Sequence, residues 1–108
     1  MKLKTELLAR ILDSEDIELK KSRFSKSEAL FVGTREIAHF HNSQEIDVRL
    51  TRAEIRRRRL SKSPDPRITV SSPSSDWVVA KFRQARDLEV VQELVETAAK
   101  LNAKQLKG

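Results

Sequence analysis

Cysteine is absent from the 108 residues. Disulfides, thiolate zinc sites and cysteine nucleophiles are therefore excluded, and a reducing compartment suits the chain. Glycine is nearly as scarce, with only Gly33 and Gly108. No Gly-x-Gly-x-x-Gly, P-loop or Gly-x-Ser-x-Gly elbow can be built from them, so an autonomous nucleotide-cofactor enzyme is not expected. The aromatics are four phenylalanines and one tryptophan. Most have core parity, which leaves few stacking platforms for a nucleic-acid strand. Helix-turn-helix and zinc-finger spacings are missing too. No apolar run approaches the roughly 18–20 residues that cross a bilayer. The first twelve residues interleave Lys2, Lys4, Glu6 and Arg10 with leucines, unlike the unbroken core of a signal peptide. These absences predict a cytoplasmic protein with no membrane contact.

What is present is charge, and it is local. The net charge is +6. Between Thr51 and Arg67 stand seven basic residues and two acidic ones, a net +5, so the rest of the chain is close to balance at +1. One basic helix, rather than a basic protein, is the electrostatic feature. The length suits one α+β domain over residues 1–108, large enough for a core without staples.

Leu3, Leu7, Leu8, Ile11 and Leu12 form a helix-period stripe, predicting a short amphipathic helix over 2–13. Ile17 and Leu19 alternate with charged residues, as in a strand. Ser22 to Glu28 reads as a turn, and Leu30 to Val32 as a strand broken at Gly33. In Arg35 to Leu50, Ala38 and Phe40 share one parity, and Ile46, Val48 and Leu50 another. Asn42-Ser43-Gln44 supplies turn chemistry. A three-residue loop pairs Ala38 with Val48 and Phe40 with Ile46 on an apolar face. On the other face it pairs His41 with Glu45, His39 with Asp47 and Ile37 with Arg49. Thr51 and Glu54 match a capping box, Leu50 and Ile55 a hydrophobic staple. Pro64-Asp65-Pro66 is expected to stop that helix. Strands follow at Ile68–Val70 and Trp77–Phe82, separated by the loop Ser71 to Ser75. A helix over 87–105, capped by Asp87, carries the stripe Leu88, Val91, Leu94, Val95, Ala98 and Leu101. The predicted order is α-ββββ-α-ββ-α, an antiparallel sheet with its helices on one face and a core over 17–100.

Chemistry concentrates on the polar side of the hairpin. His39 and His41, two apart on a strand, point the same way. An imidazole beside a carboxylate can serve as an oriented general base, which makes His39 and Asp47 candidate catalytic residues. Two imidazoles and a carboxylate can hold a divalent metal, through His39, His41 and Asp47. No cofactor is otherwise expected. Arg49 and Arg35 complete the patch, and the plain alternative is a solvated hairpin face.

Arg56 to Arg59 advance about 100° each and wrap around their helix. Arg52, Arg56 and Arg59 fall between Ile55 and Leu60, so the docking face should carry arginine in need of an anionic partner. The alternative is a rim of solvated arginines whose stems cover apolar surface. Trp77 has the parity opposite to Val78, Ala80 and Phe82, and either packs under a helix or lines a pocket.

Several of these residues also carry a resemblance. Arg23-Phe24, the run Leu30 to His41 with its block Gly33-x-Arg-Glu-Ile-Ala-His-x-His41, Glu45 to Leu50, and Asp76-Trp77-Val78 together resemble the small luciferase-like domain family. These are short proteins, many bacterial, with little assigned biochemistry. The likeness spans roughly residues 17 to 100. It implies one compact α+β domain and draws attention to Arg35, Glu36, His39, His41, Asp47 and Trp77. It is not a likeness to the flavin-dependent luciferases, whose TIM barrels need about 200 or more residues. The family pattern has further histidines before the tryptophan strand and often a glycine before the tryptophan. Pro66-Arg67-Ile68 and Asp76 stand there instead.

Three functions fit. A small anionic ligand could sit between the hairpin face and the basic helix, held by Arg35, Glu36, His41, Arg49, Arg56, Arg59 and Trp77. An enzyme could use His39 as base with Asp47. A nucleic-acid or protein partner could dock on Arg56 to Arg59. The first asks least of the residues.

Overall fold

Alternating apolar residues on several strands and a long 3.6-residue stripe provide the two layers. The computed structural model describes residues 2–23, 26–62, 65–70, 72 and 74–107. Its elements are α1 (Leu3–Leu12), β1 (Glu18–Lys21), β2 (Glu28–Val32), β3 (Arg35–Asn42), β4 (Glu45–Arg49), α2 (Arg52–Arg57), β5 (Ile68–Val70), β6 (Trp77–Lys81) and α3 (Asp87–Lys107). This is the expected α+β order. The strands form one antiparallel sheet in the order β1-β2-β3-β4-β6-β5. Helix α3 lies across β2, β3, β4 and β6, and α1 packs on α3. Leu88, Val91, Leu94, Val95 and Ala98 of α3 meet Ala38, Phe40, Ile46, Val48, Val78, Ala80 and Phe82 in the core. Among the described residues no helix is long and apolar enough to cross a membrane. Phe24, Pro64, Ser71 and Pro73, expected in turns and loops, lie outside the described residues.

The hairpin register is as expected at its centre and differs at both ends. Ala38 pairs with Val48, His39 with Asp47 and Phe40 with Ile46. At the tip Asn42, not His41, pairs with Glu45, and a two-residue turn replaces the expected three. The Asn42 side chain explains this. Its Oδ1 accepts the Gln44 N–H at 2.8 Å and its Nδ2 donates to Glu45 Oε1 at 2.6 Å, closing the turn locally. His41 becomes the extra residue of an irregular pair. At the other end, Leu30 pairs with Ala38 and the next residue, Phe31, with Glu36. Ile37 is therefore bulged. It does not join the polar face opposite Arg49. It is fully buried in the core instead.

Helix α2 also departs from expectation. It ends at Arg57 rather than at the prolines. Arg59 adopts φ 55°, and the Leu60 N–H reaches back to the Ile55 carbonyl, a left-handed helix end that satisfies the last turn. Arg58 and Arg59 thus lie beyond the helix, and Arg56 to Arg59 do not wrap around it. Half of the capping box forms, with Thr51 Oγ1 accepting from the Glu54 N–H at 3.4 Å. The Glu54 carboxylate turns away to Arg57 and Arg58. Asp76 replaces it at the helix start: its carbonyl accepts the Thr51 N–H and its Oδ1 the Arg52 N–H, both at 2.9 Å. These bonds hold Thr51 at φ 81°, ψ 145°, a conformation that costs a β-branched residue about 1–3 kcal/mol.

Two predictions come from these departures. Ile37→Ala should cost about 2–5 kcal/mol in urea unfolding, as for a core isoleucine, whereas an outward-facing Ile37 would cost little. Glu54 is held down to about 2, chiefly by its hydrogen bond from Arg57, with burial opposing and Arg58 assisting. Because the folded value lies below the ordinary 4.5, its contribution is full above that value and is lost as pH falls through about 2. Glu54→Gln should cost about 1–2 kcal/mol at neutral pH. That difference from the wild type should shrink steadily as unfolding is measured towards about pH 2; a constant difference would contradict it.

Candidate functional site

Among the described residues α3 packs on one face of the sheet and no helix on the other, where every second residue of a regular antiparallel strand projects. That places His39 on β3, Asp47 and Arg49 on β4, and Trp77 on β6 together. Glu36 would not belong, because residues three apart face opposite ways. The bulge at Ile37 inserts one residue between them and brings Glu36 to the side of His39.

The result is a file of three groups. The Glu36 carboxylate is almost completely buried. Its Oε1 accepts the Arg23 N–H at 2.8 Å, and its Oε2 accepts the Ser22 hydroxyl at 2.9 Å and lies 2.9 Å from His39 Nδ1. On the far side of the ring, His39 Nε2 is 2.8 Å from Asp47 Oδ2. The ring is thereby held on both sides, by the buried Glu36 and by Asp47 at the solvent side. The exposed His41 stands at the edge, with Nδ1 3.6 Å from the same Asp47 oxygen.

Trp77 adjoins this file on the uncovered face and is not under a helix. Its ring centroid is 5.1 Å from that of His39, with the planes at 47°. The Arg49 guanidinium carbon lies 4.9 Å from the Trp77 ring, a cation–π distance. Burial holds Arg49 below the usual arginine value, and the charge of Arg35 adds to this. Asp76 and Glu36 oppose them.

The remaining candidates are elsewhere. Arg35 turns toward α3, with its Nε 2.6 Å from Asn102 Oδ1. Arg56 and Arg59 are exposed and line a cleft with Ile55, Ser61 and Lys62. The arginine that docks is Arg58, not Arg52, Arg56 or Arg59. It binds Glu54 within its own segment and Glu93 and Thr97 on α3. The basic helix is thereby tied to the helical layer, apart from the hairpin's polar face. Among the described residues no group of three or more His, Asp or Glu is arranged to hold a metal ion. Asp47 Oδ2 instead meets both histidines directly.

Ser22 and Asn102 take part without being among the candidates, and Arg23, which carries part of the family likeness, takes part through its backbone N–H. Ser22 and Arg23 lie in a polar stretch that signals only a turn. Asn102 did leave a signal, since it falls four residues after Ala98 on the apolar stripe of α3. Fully buried, it donates to the Ala98 carbonyl at 2.7 Å and the Arg49 carbonyl at 3.0 Å.

A family model for the luciferase domain matches residues 34–98, well over half of the chain. The chain belongs to the luciferase-domain family. The matched span holds Glu36, His39, His41, Asp47, Arg49 and Trp77, so the whole uncovered-face cluster except its Ser22 and Arg23 clamp lies inside the domain. No curated protein and no solved structure matches this luciferase domain.

The burial of Glu36 sets a test. Glu36→Ala leaves Ser22, the Arg23 N–H and His39 Nδ1 without their acceptor and should cost about 2–4 kcal/mol in chemical unfolding. Asp47→Asn, at the solvent side, should cost under about 1 kcal/mol. Equal effects would mean that the inner end of the file does not anchor the ring.

Proposed function

We propose that this luciferase domain is a binding module for a small anionic ligand, taken up on the uncovered face of the sheet at Arg49, Trp77 and His39. The observation that carries the reading is the half-buried Arg49 guanidinium on the Trp77 ring. Its own environment disfavours its charge, through burial and through Arg35. A ligand anion there would offset both. Of the two carboxylates that act on Arg49, Glu36 is also engaged by Ser22, Arg23 and His39, and Asp76 by the Arg52 N–H. Trp77 offers a flat apolar surface beside the charge, the mixture typical of small-molecule sites. Arg56 and Arg59 are left out of this reading, since α2 is bound to the other layer.

One observation favours a second reading. A buried carboxylate orienting an imidazole that meets a second, more exposed carboxylate is the arrangement of a general acid–base pair. His39 would then be the base, oriented by Glu36, taking the substrate's proton by way of Asp47.

The experiment is an NMR titration of the Trp77 indole and the His39 ring with phosphorylated and carboxylated metabolites. A saturable shift at both is expected, with affinity reduced about ten- to hundredfold in Arg49→Ala. Shifts confined to other surfaces would sink the binding reading. Turnover of a bound compound that disappears in His39→Ala at unchanged melting temperature would move the assignment to the enzyme.

A further inference from the structure

A second concavity lies where β6 runs into α3. It is an open cleft of about 890 Å³ lined by Asp65, Arg67, Lys81, Arg83, Arg86 and Asp87, with Pro66 and Gln84 between them. Small-molecule sites commonly occupy about 300–1,000 Å³. Its two carboxylates are already engaged. Asp65 accepts from Arg67 through both oxygens, at 3.1 and 3.2 Å, and from the Arg67 N–H at 2.9 Å. Asp87 Oδ2 accepts the N–H groups of Arg83 and Gln84, and Asp87 Oδ1 lies 3.4 Å from Arg67 Nη1. Burial works against ionisation of Asp87, and these hydrogen bonds outweigh it, holding the carboxyl below its usual value.

Arg67 is thus matched by acids, while Lys81, Arg83 and Arg86 make no ion pair or side-chain hydrogen bond among the described residues. Three like charges within six residues, around one hollow, repel one another. A single carboxylate cannot offset all three. Two guanidinium forks and one ammonium match closely spaced phosphates, with arginine binding two oxygens at once and lysine acting as a point charge. We infer that this cleft is a second binding site, independent of Trp77 and His39, for a small compound bearing a diphosphate or two neighbouring phosphates.

Inorganic pyrophosphate is the probe, titrated into the isotopically labelled full chain. The backbone amides of residues 81–87 should shift saturably, with the Trp77 indole unmoved. The double substitution Arg83→Ala/Arg86→Ala should weaken binding at least about tenfold without lowering the melting temperature, since both side chains are exposed and make no ion pair or side-chain hydrogen bond among the described residues. Arg56→Ala/Arg59→Ala, in the other basic cleft, should leave affinity as in the wild type. Three results would overturn the site. One is an absence of localised shifts. Another is equal weakening by both double substitutions, which marks non-specific condensation on basic surface. The third is displacement of pyrophosphate by duplex DNA that binds more tightly with a steep salt dependence, which would make the phosphates those of a nucleic acid.

Discussion

Glu36 and His39 are an odd number of residues apart, and a regular pleat would send them to opposite sides of the sheet. The single extra residue at Ile37 cancels that opposition. The inner end of the polar file on the uncovered face follows from it. With the bulge, Ile37 enters the core, Glu36 reaches the ring nitrogen of His39, and the connection after β1 is drawn down to satisfy the remaining carboxylate oxygen. Without it, a glutamate would be driven into the apolar layer under α3, where an unpaired carboxylate costs several kcal/mol. The fold therefore penalises loss of the bulge on both faces at once.

Much of the layer structure was legible because it rests on periodicity. The stripe of α3, the alternation in Ala38, Phe40, Ile46 and Val48, and the opposite parity of Trp77 each have one physical meaning when a sheet is covered on one side. The central pairs of the hairpin followed from that alone. Its ends did not, because a bulge leaves no periodic trace: Ile37 is as suitable for one face as for the other until the partner strand is known. The length of α2 was hidden for a related reason. Arginine at a left-handed position, as at Arg59, has no sequence signature comparable with glycine, so the prolines further on appeared to be the stop.

The candidate site was legible in part. His39 beside Asp47 came from register, and Glu36 came only through the family likeness. The separation of Arg56 and Arg59 from the hairpin face could not be read, since it is decided by a tertiary ion pair. Arg58 joins Glu54 to Glu93 across two helices, and a run of four arginines does not say which one will find the acid. The charge excess near residue 60 is consequently more structural than its density suggests, with Arg57, Arg58 and Arg67 paired to acids and Arg56, Arg59 and Lys62 lining one cleft.

Asp76 has a consequence of another kind. It immediately precedes Trp77, and it holds the first backbone amides of α2 through its carbonyl and its carboxylate. Strand and helix are clamped at one point, next to a threonine kept in an unfavourable backbone shape. The start of β6 and the first amides of α2 therefore share one anchor, and the aromatic ring cannot be re-sited along its strand without disturbing the helix start.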